Sequence, residues 1–233
     1  MGNASSRIVR LDYGYFVRPA DETGTGMARV EPVLGYVVVH PRGVLLLDTG
    51  MGEHPDVDSR YRPRRIPLPA ALGSAGLVAD DIQLVVNCHL HFDHCGGNPL
   101  LPGRPVIVQR RELAAARADD YTLPGLIDAP GLKYDEITGE AEPLPGVLVI
   151  PTPGHTDGHQ SVVVRQPDGT VVVLAGQSHD TATAYSADVL AVRAAQDGHE
   201  QPLPTAPAWI SRLRDLDPAR VYFAHDHAVW VPS

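Results

Sequence analysis

The sequence has few of the features that would place a protein outside the cytoplasm. It contains only two cysteines, Cys88 and Cys95, so no disulfide framework is predicted. No apolar run approaches the roughly 20 residues that cross a bilayer, and the N-terminus lacks a basic segment followed by an apolar core. We therefore expect a soluble, cytoplasmic protein with no membrane partner.

Basic residues are also scarce. The chain has 19 Lys and Arg against 28 Asp and Glu, a formal net charge of -9, and the basic residues are spread thinly along it. Such a distribution offers no cationic patch for a phosphate backbone or an anionic membrane surface. We expect a small-molecule substrate and no nucleic acid, and the sequence leaves the oligomeric state open.

The remaining composition is that of one globular domain over residues 1–233. With 43% hydrophobic residues, the chain is long enough to bury one sizeable core. Apolar runs predict a hairpin within Gly35 to Gly50 and further strands near the following segments: Ile82 to Val86, Val106 to Val108, Val147 to Ile150, Ser161 to Arg165, Val171 to Leu174 and Arg220 to Ala224. The mixture of strands and helices favours an α/β fold, with sheets covered by helices.

Two helices and two irregular segments complete the prediction. Arg111 to Asp119 and Thr205 to Leu216 have helical composition or spacing. The proline-rich segment Pro55 to Pro69 and the segment Tyr121 to Glu142 lack clear periodicity and are predicted to be loops.

The most informative segment follows the predicted strand that ends at Val86. It reads NCHLHFDH and holds three imidazoles and one carboxylate within the six residues 89–94. Imidazole and carboxylate groups are the usual ligands of zinc and related divalent ions. A single histidine is more often an ordinary surface residue, but four such groups together indicate a metal site. Cys95 is more simply a buried packing residue than a ligand.

This spacing resembles the HxHxDH signature of the metallo-β-lactamase superfamily. The segments PGHTDGH (residues 153–159) and FAHD (residues 223–226) are similar to later motifs of that superfamily, in the same order. Within it, the chain looks most like the N-acyl homoserine lactonases, over roughly Gly35 to Asp226. The resemblance implies an αββα sandwich, two mixed β-sheets flanked by helices.

The resemblance also implies a set of site residues. His89, His91 and His155 would hold one metal ion, while a second would be held by Asp93, His94 and His225. Asp48 and His159 would support these ligands without touching metal. The ion would be divalent, most simply Zn²⁺, with iron, manganese or cobalt as alternatives, and one or two would bind per chain.

One position departs from the family pattern. Where the family has a carboxylate that bridges the two metals, this chain has Gln177, a neutral and weaker donor. His179 and Asp180 are candidate replacement ligands. Asp180 also occupies the position of a tyrosine that assists the substrate in the lactonases, and Tyr185 is a distant candidate substitute.

The function implied is hydrolysis of a lactone or ester-like small molecule by metal-activated water, with Asp93 orienting that water. A thioesterase or other hydrolase of the superfamily is one alternative, and a non-hydrolytic ligand-binding protein with a degraded site is another. The loops Tyr61 to Ala70 and Tyr121 to Glu136 are expected to shape the substrate pocket.

Overall fold

Two mixed β-sheets face each other in the computed structural model, which describes residues 5–118, 121–199 and 201–232. The first sheet has seven strands in the order β4-β1-β2-β3-β5-β6-β7: β1 Arg7–Arg18, β2 Arg29–His40, β3 Gly43–Leu47, β4 Arg64–Arg65, β5 Leu84–Val86, β6 Pro105–Gln109 and β7 Lys133–Ile137. The second has five in the order β12-β11-β10-β9-β8: β8 Ala141–Leu144, β9 Val147–Pro151, β10 Gln160–Arg165, β11 Val171–Leu174 and β12 Arg220–Tyr222.

Seven α-helical segments accompany the sheets within the described ranges: α1 Pro55–Tyr61, α2 Leu68–Ser74, α3 Phe92–Cys95, α4 Arg110–Ala116, α5 Pro124–Ile127, α6 Ala182–Gln196 and α7 Trp209–Arg214. None of the helices in these ranges has the length and apolar composition of a membrane span.

Alternation along the strands builds the layers. In β2, Tyr36 and Val38 enter the core between the sheets, whereas Val37 packs on the opposite face with Leu72 of α2. In β10, Val162 likewise points into the core between the sheets, whereas Val163 packs in a cluster with residues of α6 and α7. The layers are therefore helix, sheet, sheet and helix, and the predicted fold class is confirmed.

The predicted strands and hairpin are present, with ends that differ by a few residues. The prediction that residues 55–69 and 121–142 form irregular loops was wrong, because both segments contain helices and strands. Residues 55–69 contain α1, which begins after His54 accepts a hydrogen bond from the backbone N–H of Asp56, together with β4 and the start of α2. Residues 121–142 contain α5, β7 and the start of β8. The predicted helix 111–119 ends at Ala116, and its predicted last residue lies outside the described ranges.

Two long elements, β1 and α6, were not predicted from the sequence. The alternation of β1 is interrupted by a register shift between Asp12 and Tyr15 where it pairs with β2. Helix α6 buries Ala182, Tyr185 and Ala191, a face too small in apolar area to signal an amphipathic helix.

The strand ends bring the motifs together. Strands β3 and β5 are parallel, with Leu47 opposite Val86, and β11 and β12 are parallel, with Leu174 opposite Tyr222. Carboxyl ends of parallel strands meet at one edge of a sheet. The loops after β3 and β5 therefore lie together at one edge of the first sheet, and those after β11 and β12 lie together at one edge of the second.

Candidate metal centre

Three histidines form the first donor set. The Nε2 atom of His89 lies 2.9 Å from Nδ1 of His91, which lies 3.1 Å from Nε2 of His155. Ligands of tetrahedral zinc at about 2.0–2.1 Å from the ion lie about 3.3 Å from one another. The spacing and chemistry of these three nitrogens thus fit one divalent ion.

A second donor set lies beside the first. Asp93 Oδ2 is 3.4 Å from Nε2 of both His94 and His225, and these two nitrogens are 3.1 Å apart. The ring centroids of His89 and His94 are 4.1 Å apart, so the two sets are neighbours. Both sets belong to groups whose donor atoms all fall within 4.8 Å of one another.

The backbone explains how one short segment serves both sets. His91 precedes α3 in an extended conformation, whereas Asp93 and His94 lie within that helical turn. The change of conformation aims the side chains in different directions. His155 comes from the loop after β9 and His225 from the chain after β12, so both sheets contribute.

Two glycines after the motif allow its close packing. A Cβ atom on Gly96 would lie 1.9 Å from the backbone nitrogen of Gly52, so no side chain fits there. Backbone hydrogen bonds join the two segments, from Gly52 N–H to Phe92 O at 2.7 Å and from Thr49 N–H to His94 O at 2.7 Å. The donor segment is therefore fixed against the loop after β3.

Asp48 in that loop orients the second donor set. Its Oδ2 atom accepts a hydrogen bond from His94 Nδ1 at 2.9 Å, and its Oδ1 accepts from the backbone N–H of Cys88 at 2.8 Å. Asp48 holds a φ of 60°, which costs energy for a residue with a side chain and occurs at positions that the surroundings dictate. The bond fixes the ring so that Nε2 of His94 points toward Asp93.

His225 is oriented in the same way by a backbone carbonyl. Its Nδ1 donates to Pro32 O at 2.8 Å, which directs Nε2 toward the other donors. His89 is more weakly held, since its Nδ1 contacts the thiol of Cys88 at 3.2 Å.

Desolvation within the cavity sets the protonation of the first set. Desolvation lowers the pKa of His91 to about 4 and that of His155 to about 3, and neighbouring histidines add to the effect. The pKa of His89 is lowered for the same reasons. Neutral imidazoles offer lone pairs, the form that a metal ion requires.

The second set has the opposite balance. Burial would raise the pKa of Asp93, but His94 and His225 outweigh it and the pKa is lowered. Burial would lower the pKa of His94, but the adjoining Cys88 and the carboxylates of Asp93 and Asp48 raise it. The second set therefore combines an ionised carboxylate with imidazoles.

His159 is fully buried and supports the neighbouring chain. Its Nε2 accepts the backbone N–H of Gln177 at 3.0 Å, so its Nδ1 carries the proton and donates to Thr152 O at 3.1 Å. The donor atoms of His159, Cys88 and His89 lie close enough to hold a metal ion. The Nε2 lone pair of His159, however, already accepts the hydrogen bond from Gln177 N–H.

The three candidate replacement ligands Gln177, His179 and Asp180 have different surroundings in the structure. Gln177 is buried and lines the cavity in front of the donors, where its side chain contacts Asp180. His179 turns away, as its Nε2 lies 3.0 Å from Asp188 Oδ2 on α6 and its ring packs on Trp209. His179 therefore joins neither donor set in the structure, because Asp188 and Trp209 hold its ring.

Tyr185 was also wrong as a substitute for the lactonase tyrosine. It is fully buried, and its ring packs on Phe223 and Trp230 behind the second sheet. Helix α6 carries it into the core, away from the cavity.

The cavity in front of the donors has a volume of about 400 Å³. One wall is aromatic, with Phe16, Tyr61 and Phe92 at centroid distances of 5.0–5.9 Å. Another carries charge, from Arg18 and Glu22. The predicted loop 121–136 lines the cavity through residues 121–123, and the loop 61–70 through Tyr61, whereas residues 64–66 line a separate cavity.

Sequence reasoning missed a buried carboxylate behind the first donor set. Glu112 is fully buried and accepts hydrogen bonds from Leu90 N–H at 2.8 Å, from Thr156 Oγ1 at 2.7 Å and from the Tyr121 hydroxyl. Leu90 and Thr156 adjoin the ligands His91 and His155. An acidic residue in the first turn of a helix is usually solvent-exposed, so the sequence carried no signal of this role.

Comparison with known proteins agrees with this geometry. The sequence model of the metallo-β-lactamase superfamily matches residues 28–225, and the chain belongs to that superfamily. An N-acyl homoserine lactonase from a Bacillus species is 31% identical over 211 residues, covering 84% of this chain and 81% of the relative. Another, from Bacillus thuringiensis, is 34% identical over 157 residues, covering 61% and 62%.

Solved structures give the same result. An N-acyl homoserine lactone hydrolase with the product N-hexanoyl-L-homoserine bound at its catalytic metal centre superposes with a TM-score of 0.74. It is 26% identical in sequence, and the match covers 97% of this chain and 95% of that one.

Proposed function

We propose that the protein is a metal-dependent hydrolase that opens the ring of an N-acyl homoserine lactone or a similar lactone. The observation that carries this proposal is the pair of converging donor sets at the base of a cavity with an aromatic wall. The similarity to lactonases over most of the chain supports the substrate class. A simple ester presents the same carbonyl chemistry and is the nearest alternative substrate.

The six converging residues would hold the metal: His89, His91 and His155 in the first set, and Asp93, His94 and His225 in the second. The donor set of imidazole and carboxylate favours Zn²⁺, with iron or manganese as alternatives. When bound, a divalent ion would supply Lewis acidity and lower the pKa of water at the centre.

The protein groups then divide the remaining tasks. The ionised carboxylate of Asp93 lines the cavity and would accept a hydrogen bond from the attacking water, which orients it. Phe16, Tyr61 and Phe92 would cover the acyl group and keep bulk water from it. The phenols of Tyr61 and Tyr121 also line the cavity. Each hydroxyl donates its hydrogen to a carboxylate, Tyr61 to Glu22 and Tyr121 to Glu112, so in this arrangement neither hydrogen is directed at a substrate.

Removing one donor tests the proposal. We expect His91→Ala to lower turnover of N-hexanoyl homoserine lactone by about 10³-fold or more, because metal catalysis contributes several kcal/mol to the barrier. The rate of ring opening is measured from the protons released, and the metal content per chain is measured by elemental mass spectrometry. His227→Ala is the matched control, since it removes an exposed histidine outside both sets. Equal turnover in wild type and His91→Ala would exclude the proposed mechanism.

We also propose that residues 1–233 form one domain, since both sheets supply donors to one centre. A cytoplasmic location stays a prediction, supported by the two buried free thiols of Cys88 and Cys95.

A further inference from the structure

The side-chain amide of Gln177 has a defined orientation. Its Nε2 lies 3.2 Å from Asp180 Oδ1, and only 2% of the residue is exposed. A carboxylate only accepts hydrogen bonds, so the amide must turn its NH₂ group toward Asp180. Within the described part of the chain, Gln177 Oε1 has no hydrogen-bond partner.

Asp180 is itself anchored from the opposite sheet. Arg29 Nη2 lies 2.5 Å from Asp180 Oδ2, and Arg29 Nε donates to Glu31 at 2.7 Å. Glu31 is buried and also accepts from Arg18 Nε at 2.6 Å. Asp180 is therefore ion-paired with Arg29, and its carboxylate serves Gln177 as an acceptor. The network joins β1 and β2 of the first sheet to the loop after β11 of the second.

Gln177 lines the cavity that contains metal donors, and its side-chain nitrogen is already used by Asp180. Gln177 lines this cavity together with His91, Asp93 and His155. An amide oxygen can ligate a divalent ion, although it brings no negative charge. The opposite orientation would present NH₂ hydrogens to a cation and repel it.

We propose that Arg29 and Asp180 are positioning residues that hold the Gln177 carbonyl oxygen toward the donors, and that this oxygen is a neutral ligand for the second metal ion. The inference rests on the proposed metal-dependent function. Because the ligand is neutral, the second ion binds more weakly than the first, and its affinity depends on Asp180 even though Asp180 does not touch it.

A cobalt titration of metal-free protein tests this proposal. The probe is Co²⁺ alone, followed by its visible absorption and by equilibrium dialysis. We expect two equivalents of unequal affinity in wild type. Asp180→Ala should weaken the second equivalent by about 10- to 100-fold, the usual effect of removing a group that orients a ligand, and leave the first unchanged. Asp180→Asn should recover only part of this loss, because its single side-chain oxygen cannot accept from both Gln177 Nε2 and Arg29 Nη2.

A double-mutant cycle separates positioning from general damage. Gln177→Ala should weaken the second equivalent as strongly as Asp180→Ala, and the double variant should be no weaker than Gln177→Ala alone. Asp188→Asn is the matched control, as Asp188 pairs with His179 outside the cavity. Its second equivalent should match wild type.

The outcomes distinguish this inference from the proposed function. Equal second-site affinity in wild type and Asp180→Ala would overturn the positioning role, as would parallel loss of both equivalents. A single equivalent in wild type with intact lactone hydrolysis would overturn the inference and leave the proposed function standing. No binding of either equivalent would overturn both.

Discussion

The two donor sets of the centre are held in different ways. In the second set, protein groups bond directly to the ligand rings, with Asp48 on His94 and the Pro32 carbonyl on His225. In the first set, support reaches His91 and His155 through their chain neighbours, which Glu112 binds. Direct bonds fix a ring and its tautomer, whereas indirect support fixes only the backbone from which the ring projects.

Exposure divides the histidine ligands differently, since His89 of the first set is as buried as His94 and His225. His94 and His225 are buried, whereas His155 is exposed at the cavity and His91 is partly so. A substrate therefore meets His91, Asp93 and His155 together with the aromatic wall, while His89, His94 and His225 lie behind them. Rigid placement is concentrated where solvent does not reach, because buried polar groups require hydrogen-bond partners.

The largest effect is expected at Glu112. Glu112→Ala would leave Leu90 N–H, Thr156 Oγ1 and the Tyr121 hydroxyl without their buried acceptor, so the free energy of unfolding should fall by about 3 kcal/mol or more. Urea denaturation measures this change. Glu136→Ala is the control, since Glu136 is exposed and lies 3.7 Å from Arg110, a pair worth little. A loss below about 1 kcal/mol in Glu112→Ala would show that the first set needs no such support.

An intermediate effect is expected at Asp48. Asp48→Asn tolerates the positive φ but weakens the bond to His94 Nδ1, so affinity at the second set should fall by about 10- to 100-fold. Competition with a chromophoric chelator measures it. Asp217→Asn is the matched control, because Asp217 also has a positive φ, of 49°, but lies outside the metal centre. If both variants retained wild-type affinity, direct support of the ring would not matter.

A pH-dependent effect on stability is expected from the neutral histidines of the first set. The pKa of His91 is about 4 in the folded chain, below the ordinary value of about 6.5 that holds in the unfolded chain. Between these values the unfolded chain binds more protons, so the free energy of unfolding of metal-free protein should fall as the pH drops from about 6.5 to about 4. The thermal midpoint should decrease by a few degrees over this range, and by less in His91→Gln. A midpoint that does not change with pH would contradict the assignment of neutral first-set histidines.

The superfamily, the fold class and the hydrolase class were all accessible from the sequence, and the comparisons confirm them. The reason is local. His89, His91, Asp93 and His94 fall within six residues, so their convergence depends on one strand end and one helical turn. Short apolar strands such as β5 and β11 were likewise predicted, because their period depends on neighbouring residues alone.

Contacts between distant segments were not accessible. Glu112 and Arg29 are charged residues that would ordinarily be exposed, and their roles come from partners at separations of 22 and 151 residues. His179 and Tyr185 follow the candidate ligand Gln177 closely in sequence, yet contacts with α6 hold His179 outside the cavity and Tyr185 lies buried in that helix. The loops predicted at residues 55–69 and 121–142 contain short helices and strands, which depend on caps and on packing against the sheets.

The sequence by itself determined the chemistry of the centre, since imidazole and carboxylate groups in a fixed local spacing limit what can bind. Only the tertiary structure decided which groups orient those ligands and where the amide of Gln177 points. Orientation depends on hydrogen bonds from β1, β2 and α4, and the sequence order of these elements does not indicate which of them meet in space.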